Sequence, residues 1–169
     1  MKNIILIGMP GVGKSTIGVI LAKVLGYQFL DADLLIQKSE GKLLKDIIAE
    51  KGTEGFIQVE NRVNSRIEAE NAIIATGGSA VYGKEAMEHL KSIGTVVYIN
   101  VPYEDLQKRL GDLLKRGVAI RKGNTLLDLY NERIPLYKKY ADITVDVYGI
   151  HIREAMELIK DSVEKLECK

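Results

Sequence analysis

The sequence predicts a three-layer α/β domain in which a parallel sheet is covered by helices on both faces. Two observations predict this class. Short continuous apolar runs, typical of strands buried on both faces, alternate with stretches whose apolar residues recur three and four positions apart, typical of amphipathic helices. Parallel strands need crossover connections, so the alternation favours helices between strands. The predicted strands cover residues 4–7, 29–30, 72–75, 96–99 and 143–145.

Helix-period patterns fill the intervals between the predicted strands. The segment of about 33–70 holds at least two of them, more than one crossover requires, so we predict a substrate-binding insertion there. Residues of about 111–124 are polar, basic and glycine-containing, and we predict that they form a lid. The predicted helices cover residues 16–25, 34–38, 43–48, 56–67, 104–110, 126–140 and 152–166.

The composition limits the class of partner. The chain has 169 residues, of which 46% are hydrophobic, and 24 Lys and Arg against 23 Asp and Glu give a formal net charge of +1. We therefore expect a single domain, residues 1–169, with a small-molecule partner and neither nucleic acid nor membrane, since no large single-sign field is present. The one cysteine, Cys168, excludes an internal disulfide framework. The N-terminal apolar run is too short for a signal peptide or membrane span, and we expect a cytoplasmic monomer.

A glycine-rich loop follows the first predicted strand. Residues 8–16, GMPGVGKST, satisfy the pattern G-x-x-x-x-G-K-[ST], and strand, loop and helix occur in the required order. In such a loop successive N–H groups surround a phosphate at a helix N-terminus. Lys14 then reaches the β- and γ-phosphate oxygens, and the Ser15 hydroxyl ligates Mg²⁺. The residues expected to contact ATP here are Gly11, Val12, Gly13, Lys14, Ser15 and Thr16. The alternative, a glycine-rich turn that binds nothing, does not explain the ordered context.

Other classes of phosphate-loop protein fit less well. No N-K-x-D motif is present, which excludes a GTPase. Motor and transporter ATPases hold magnesium through an aspartate after a later apolar strand, but the run 95–99 ends in Asn100. The acidic residues that fit a ligand site are elsewhere in this sequence.

Two aspartates end the second predicted strand. In an open α/β sheet the carboxyl ends of the strands meet the ligand, so Asp31 and Asp33 are expected to face the phosphate loop. If the strand persists, both side chains project to one side. One carboxylate then serves the metal, and Asp33 suits the orientation of an acceptor hydroxyl and the acceptance of its proton. The alternative is that Asp33 caps the following helix.

At this point the sequence resembles the shikimate kinase family, whose members transfer the γ-phosphate of ATP to a hydroxyl of a cyclic carboxylic acid. The resemblance implies a P-loop kinase fold with a five-stranded parallel sheet, a helical substrate-binding region and a closing lid. It also implies ATP and Mg²⁺ as requirements, and conversion of ATP and shikimate to ADP and shikimate 3-phosphate. The matching segments, in the family's order, are residues 8–16, 31–33, 41, 56–60, 75–78, 106–109, 133–137 and 141–142.

The resemblance also assigns roles to individual residues. It makes Asp31 the magnesium-associated acid beside Ser15, and Asp33 the group that holds the acceptor hydroxyl. The remaining implied roles are N–H donors to the substrate at Gly77 and Gly78, carboxylate pairing by Arg133, adenine stacking by Arg109, and a catalytic lid arginine at Arg116 alongside Lys14 and Asp33. The alternatives are an ordinary tight turn at the glycines, surface positions for Arg109 and Arg133, and Arg121 as the lid arginine.

Two departures concern the substrate pocket. The family's Phe-Arg-x-x-Glu is Phe56-Ile57-Gln58-Val59-Glu60 here, and its third glycine after Thr76 is Ser79. Loss of one charge-assisted hydrogen bond, about 1.5 to 3 kcal/mol, weakens a carboxylate ligand roughly ten- to hundredfold. We therefore keep two alternatives to a shikimate kinase: a kinase of a different hydroxy acid or polyol, and a nucleotide-binding homologue without catalysis.

Overall fold

A five-stranded parallel sheet forms the centre of the fold, with strand order β2-β3-β1-β4-β5. The structure, a computed structural model, describes residues 3–109, 118–149 and 151–168. The predicted α/β class with a parallel sheet is confirmed, and each predicted strand lies within an observed one. The strands are β1 Asn3–Ile7, β2 Gln28–Asp31, β3 Ala72–Ala75, β4 Gly94–Asn100 and β5 Ile143–Asp146.

Helices connect these strands and pack on the sheet. Tyr137, in the helix Leu126–Tyr140, stacks on Tyr98 of β4 with ring centroids 5.1 Å apart, and this contact packs the helix against the sheet. Within the described residues, no helix combines the length and apolarity that crossing a bilayer requires. The helices are α1 Lys14–Leu25, α2 Ala32–Glu40, α3 Leu44–Asn64, a 3₁₀ turn Ala80–Tyr82, α4 Lys84–Ile93, α5 Tyr103–Arg109, α6 Leu126–Tyr140 and α7 Ile152–Glu167.

The segment between β2 and β3 contains the helical patterns that the sequence predicts. The patterns at residues 43–48 and 56–67 form two helical stretches within α3, which meet at a kink at Gly52. Gly52 has φ 70° and ψ 177°, a left-handed φ that glycine adopts at little cost. The helix resumes beyond it, so the two apolar patterns follow each other around a kink. Together α2 and α3 make up most of the predicted insertion.

The parallel topology gathers several loops at one edge of the sheet. The connections after β1, β2 and β3 all leave from strand carboxyl ends, and the chain crosses from β1 to β2 and then returns to place β3 between them. Ligands of open α/β sheets bind in the crevice where the strand order reverses. The topology therefore locates the candidate site beside the end of β1.

The amino ends of the central strands are joined by the buried side chain of Asn3. Its Nδ2 donates to the carbonyls of Ala69 (2.7 Å) and Ile93 (3.0 Å), and its Oδ1 accepts from Ala72 N–H (3.0 Å). Only 3% of Asn3 is exposed. One amide thus joins the chain segments that enter β1, β3 and β4.

We predict that Asn3→Ala lowers the free energy of unfolding by about 2 to 4 kcal/mol, because it leaves three backbone groups without their partners. Urea unfolding measures the difference. The matched control is Gln28→Ala, which removes an exposed amide from β2. If both variants lose the same stability, the buried amide does not join the three segments energetically.

Candidate active site

A cavity of about 300 Å³ opens at the carboxyl edge of the sheet. It lies between the loop after β1, the start of α2, α3, the loop after β3 and α6. The structure thus brings together most of the residues that the sequence assigned to a site. The lining residues are Pro10, Gly11, Gly13, Lys14, Ser15, Thr16, Asp33, Leu44, Phe56, Glu60, Thr76, Gly77, Gly78, Ser79, Val118, Ala119 and Arg133.

The glycine-rich loop has the backbone that phosphate binding needs. Gly8 and Gly13 have φ of 148° and 98°, where an L side chain is strained. A Cβ at Gly8 would also lie 2.7 Å from the Ile99 carbonyl oxygen of β4. α1 begins at Lys14 and its first three residues line the cavity, so the N-terminal end of the helix dipole favours an anion there.

Lys14 is buried beneath this loop. Its Nζ donates to the carbonyl oxygens of Gly8 and Met9, each at 2.8 Å, and only 7% of the residue is exposed. Burial lowers its pKa to about 8, against the opposing effect of the nearby Asp33 carboxylate. The ammonium is therefore poorly hydrated, and an incoming phosphate supplies the negative charge that it lacks.

Asp31 links the phosphate loop to α2. Its Oδ2 accepts from the Ser15 hydroxyl at 2.8 Å, and its Oδ1 accepts from the Asp33 N–H at 3.0 Å. The strand therefore ends at Asp31 and does not persist to Asp33, and the alternative that Asp33 caps the helix is wrong because Asp31 is the cap. A good capping residue ends the strand where alternation alone would extend it.

Ser15 and Asp31 offer oxygen ligands of the kind that Mg²⁺ prefers. Their oxygens lie 2.8 Å apart, close to the roughly 2.9 Å between neighbouring ligands in an octahedron with 2.0–2.1 Å bonds. The described residues contain no group of three or more His, Cys, Asp or Glu suited to a metal ion. Mg²⁺ commonly takes one or two protein oxygens and completes its shell with water and phosphate, so this small donor set fits it.

Asp33, in the first turn of α2, faces the loop after β3. Its Oδ1 and the Oε1 of Glu60 lie 2.9 and 2.6 Å from the position that a Cβ would occupy at Gly77. Burial and then the neighbouring Asp31 raise the pKa of Asp33 to about 6, while Lys14 opposes them. Only a glycine leaves room for these two acids to approach the backbone here.

Glu60 is a site residue to which sequence reasoning gave no role. It is 1% exposed; its Oε2 accepts from the Ser79 hydroxyl, and its Oε1 makes no hydrogen bond to any described residue. Burial raises its pKa to about 7 against the effect of that hydrogen bond. A sequence signal existed, because Glu60 lies four residues after the buried Phe56 on α3, where an apolar side chain is expected.

Arg133 is buried rather than solvated, so its surface alternative is wrong. It is 1% exposed, its Nη2 donates to the Ala119 carbonyl at 2.8 Å, and its Nη1 lies 3.0 Å from the position of a Cβ at Gly78. A Cβ at Gly78 would also lie 2.7 Å from Pro10 of the phosphate loop. The two glycines after β3 thus bring the backbone between the acids on one side and Arg133 on the other.

Arg109 and Arg121 are not among the described residues that line the cavity. Arg116 lies outside the described residues, as do positions 111–117 of the predicted lid. Arg121 forms ion pairs with Glu54 (2.7 Å) and Glu132 (2.6 Å), in a small hollow that Ile57 also lines. Arg109 is exposed at the end of α5, and its expected adenine contact stays a prediction.

We predict that Glu60→Gln stabilises the protein relative to the wild type as pH rises from 5 to 8. A carboxyl whose pKa rises from 4.5 to about 7 on folding binds protons more readily in the folded state, so stability falls with increasing pH across that range. Glutamine does not titrate, so the free energy of unfolding of the variant exceeds that of the wild type at pH 8 by up to about 3 kcal/mol more than at pH 5. Urea unfolding at both pH values measures it, with the exposed Glu68→Gln as control. If the free energies of unfolding of Glu60→Gln and the wild type differ equally at pH 5 and pH 8, the raised pKa of Glu60 is contradicted.

Comparison with known proteins identifies the family of this chain. The sequence model of the shikimate kinase family matches residues 10–164. Shikimate kinase of Persephonella marina is 36% identical over 150 residues, 88% of this chain and 91% of its own. That of Clostridium botulinum is 42% identical over 147 residues, covering 82% and 84%. Among solved structures, shikimate kinase from Acinetobacter baumannii in complex with shikimate superposes with a TM-score of 0.88 at 31% identity, covering 100% of this chain and 96% of the other. The chain therefore belongs to the shikimate kinase family.

Proposed function

We propose that the protein is a shikimate kinase, which transfers the γ-phosphoryl group of ATP to a hydroxyl of shikimate with the help of Mg²⁺. The observation that carries the proposal is the meeting of a phosphate loop, a buried carboxylate at Asp33 and a buried guanidinium at Arg133 around one cavity. The Acinetobacter baumannii relative, whose fold covers this whole chain, was solved with shikimate.

The cavity has suitable chemistry for each part of the two substrates. The loop N–H groups and Lys14 suit the β- and γ-phosphates. The planar guanidinium of Arg133 suits the acceptor carboxylate, which it can meet with two parallel hydrogen bonds. The N–H groups of Gly77 and Gly78 suit the acceptor between these ends, and Asp33 is the acid beside them.

Asp33 has the properties that transfer to a hydroxyl requires. In the proposed reaction the acceptor oxygen attacks the γ-phosphorus, a new O–P bond forms, and the bond between that phosphorus and the bridging oxygen of ADP breaks. Asp33 orients the hydroxyl and accepts its proton, which then passes to solvent. A pKa of about 6 suits this, because the group is ionised near neutral pH yet basic enough to bind the proton.

Ser15 and Asp31 are the residues that would hold the magnesium ion. When bound with ATP, the ion neutralises part of the charge that repels an incoming nucleophile. Lys14 contributes positive charge from the protein to the same phosphates. Arg109 and Arg116 are proposed for the adenine and the transferring phosphate, as the family resemblance implies.

We predict that Asp33→Asn lowers kcat for shikimate by about 10²- to 10⁴-fold. ATP binding is retained or tightened, because the change removes a negative charge beside Lys14. Steady-state kinetics and calorimetric titration with ATP measure the two effects. Asp161→Asn, on an exposed position of α7, is the matched control. ATP binding without transfer to any alcohol by the wild type, unaffected by Asp33→Asn, would instead indicate a non-catalytic homologue.

A kinase of a different acceptor is the second candidate, and one observation favours it. Among the described residues that line the cavity there is one arginine, Arg133. Ile57, at the position of the family's second arginine, does not line it. A panel of shikimate, other hydroxy acids and neutral polyols with ATP separates the candidates. If shikimate is turned over no faster than the no-acceptor control while a polyol is phosphorylated, the first assignment is wrong.

We predict that Asp31→Asn raises the Mg²⁺ concentration for half-maximal activity by about ten- to hundredfold, because it removes a charged ligand worth about 1.5 to 3 kcal/mol. Asparagine also caps helices well, so α2 keeps its N-terminus. Activity at fixed ATP over a Mg²⁺ series measures the shift, and Asp46→Asn at the exposed start of α3 serves as control. An unchanged Mg²⁺ dependence would exclude Asp31 from the metal site.

A further inference from the structure

The guanidinium groups of two arginines lie over the ring of Tyr82. The Cζ of Arg133 is 5.3 Å from the ring centroid, and that of Arg121 is 5.5 Å from it. Tyr82 ends the short 3₁₀ turn that follows the two glycines after β3. Arginine stacks favourably on an aromatic ring, and the attraction is larger where water is excluded. The fully buried Arg133 meets that condition.

The hydroxyl of Tyr82 bonds on both sides of the same cluster. It donates to Glu132 Oε1 at 2.7 Å and accepts from Arg133 Nε at 3.4 Å. Glu132 also accepts from Arg121 Nη1 at 2.6 Å, so one carboxylate compensates the charge of the arginine that covers the ring. Arg121 is held from α3 as well, through Glu54. Tyr82 therefore has little freedom to move away from Arg133.

These contacts determine which edge of Arg133 remains for a ligand. Nε faces the Tyr82 hydroxyl and Nη2 donates to the Ala119 carbonyl, while Nη1 lies against Gly78, which lines the cavity. The hydroxyl of Tyr137, which donates to the Gly78 carbonyl, faces the same region. A guanidinium held on two edges by protein groups keeps its orientation before the ligand binds.

We propose that Tyr82 is a positioning residue for acceptor recognition: its ring and hydroxyl, held by Arg121 and Glu132, orient the Arg133 guanidinium toward the carboxylate of the bound acceptor. The proposal rests on the proposed function, because it requires an acidic acceptor that Arg133 binds. It adds a residue that is not among those lining the cavity, and it gives Arg121 a supporting role at the acceptor end of the cavity.

The test compares two substitutions of Tyr82 with two acceptors. Tyr82→Phe keeps the ring and removes the hydroxyl, whereas Tyr82→Leu removes both. The acceptors are shikimate and its analogue in which the carboxylate is reduced to a primary alcohol. Tyr148→Phe, in an exposed loop, is the matched control.

We expect KM for shikimate to rise about 3- to 10-fold in Tyr82→Phe and about 10- to 100-fold in Tyr82→Leu. KM for ATP and kcat at saturating shikimate stay near the wild-type values, because phosphate loop and Asp33 are untouched. For the reduced analogue, kcat/KM of each variant stays close to that of the wild type, since no carboxylate needs orienting. A general structural defect would instead reduce the use of both acceptors.

The possible results separate this inference from the function on which it rests. If the wild type phosphorylates shikimate and Tyr82→Leu has an unchanged KM, the positioning role is overturned and the proposed function stands. Equal losses for shikimate and its reduced analogue overturn it in the same way. If the wild type neither binds nor phosphorylates shikimate, the proposed function fails first, and the inference fails with it.

Discussion

Mutual compensation of buried charges at the carboxyl edge of the sheet is the constraint on which the candidate site depends. Lys14, Asp33, Glu60 and Arg133 all line one cavity, and three of the four are less than a tenth exposed. A charge removed from water is costly unless an opposite charge or hydrogen bonds replace the solvent. Here the two acids raise the pKa of Lys14 against the effect of burial, and the cations lower that of Glu60. Each charge of the cluster therefore influences the protonation of the others.

This balance also prepares the site for anionic ligands. The pKa values of Asp33 and Glu60 are raised and that of Lys14 is lowered, so each group is held in surroundings that disfavour its charge. A phosphate near Lys14 relieves part of that cost for the buried ammonium. The buried charges therefore destabilise the protein at the carboxyl ends of the strands, where ligands bind. The hydrophobic core around β1, β3 and β4 stabilises the rest of the fold.

The sequence predicts the fold well because its strongest signals are local. Buried parallel strands are short apolar runs, and β1 and β3 are buried at every position. The phosphate loop is likewise recognisable from contiguous residues whose order dictates their geometry. The sequence leaves open whether β2 persists to Asp33, because alternation and helix capping both allow aspartate at positions 31 and 33. Only the hydrogen bond from the Asp33 N–H to the Asp31 side chain decides between them.

The partners of the charged site residues were missed for a different reason. Glu60 interrupts the apolar face of α3, and Arg133 lies four residues from the buried Leu129 and Tyr137 on α6, so helical spacing already indicates that both face inward. What spacing cannot reveal is their partner. The contacts of Tyr82 with Glu132 and Arg133 join residues 50 and 51 positions apart. Such pairings follow from the packing of α6 against the turn after β3, which the tertiary fold decides.

The replacement of the family arginine by Ile57 gains a physical meaning from these contacts. Orienting a free arginine side chain costs up to about 2 kcal/mol of conformational entropy, similar to the 1.5 to 3 kcal/mol of one charge-assisted hydrogen bond. In this chain Arg133 is already fixed by the Ala119 carbonyl and Tyr82, so much of that cost falls on folding rather than on binding. One preorganised guanidinium can therefore offset part of what a second cation would add. The pocket departs from the family pattern in composition, and the order imposed on Arg133 offsets part of that loss in the binding of an acidic acceptor.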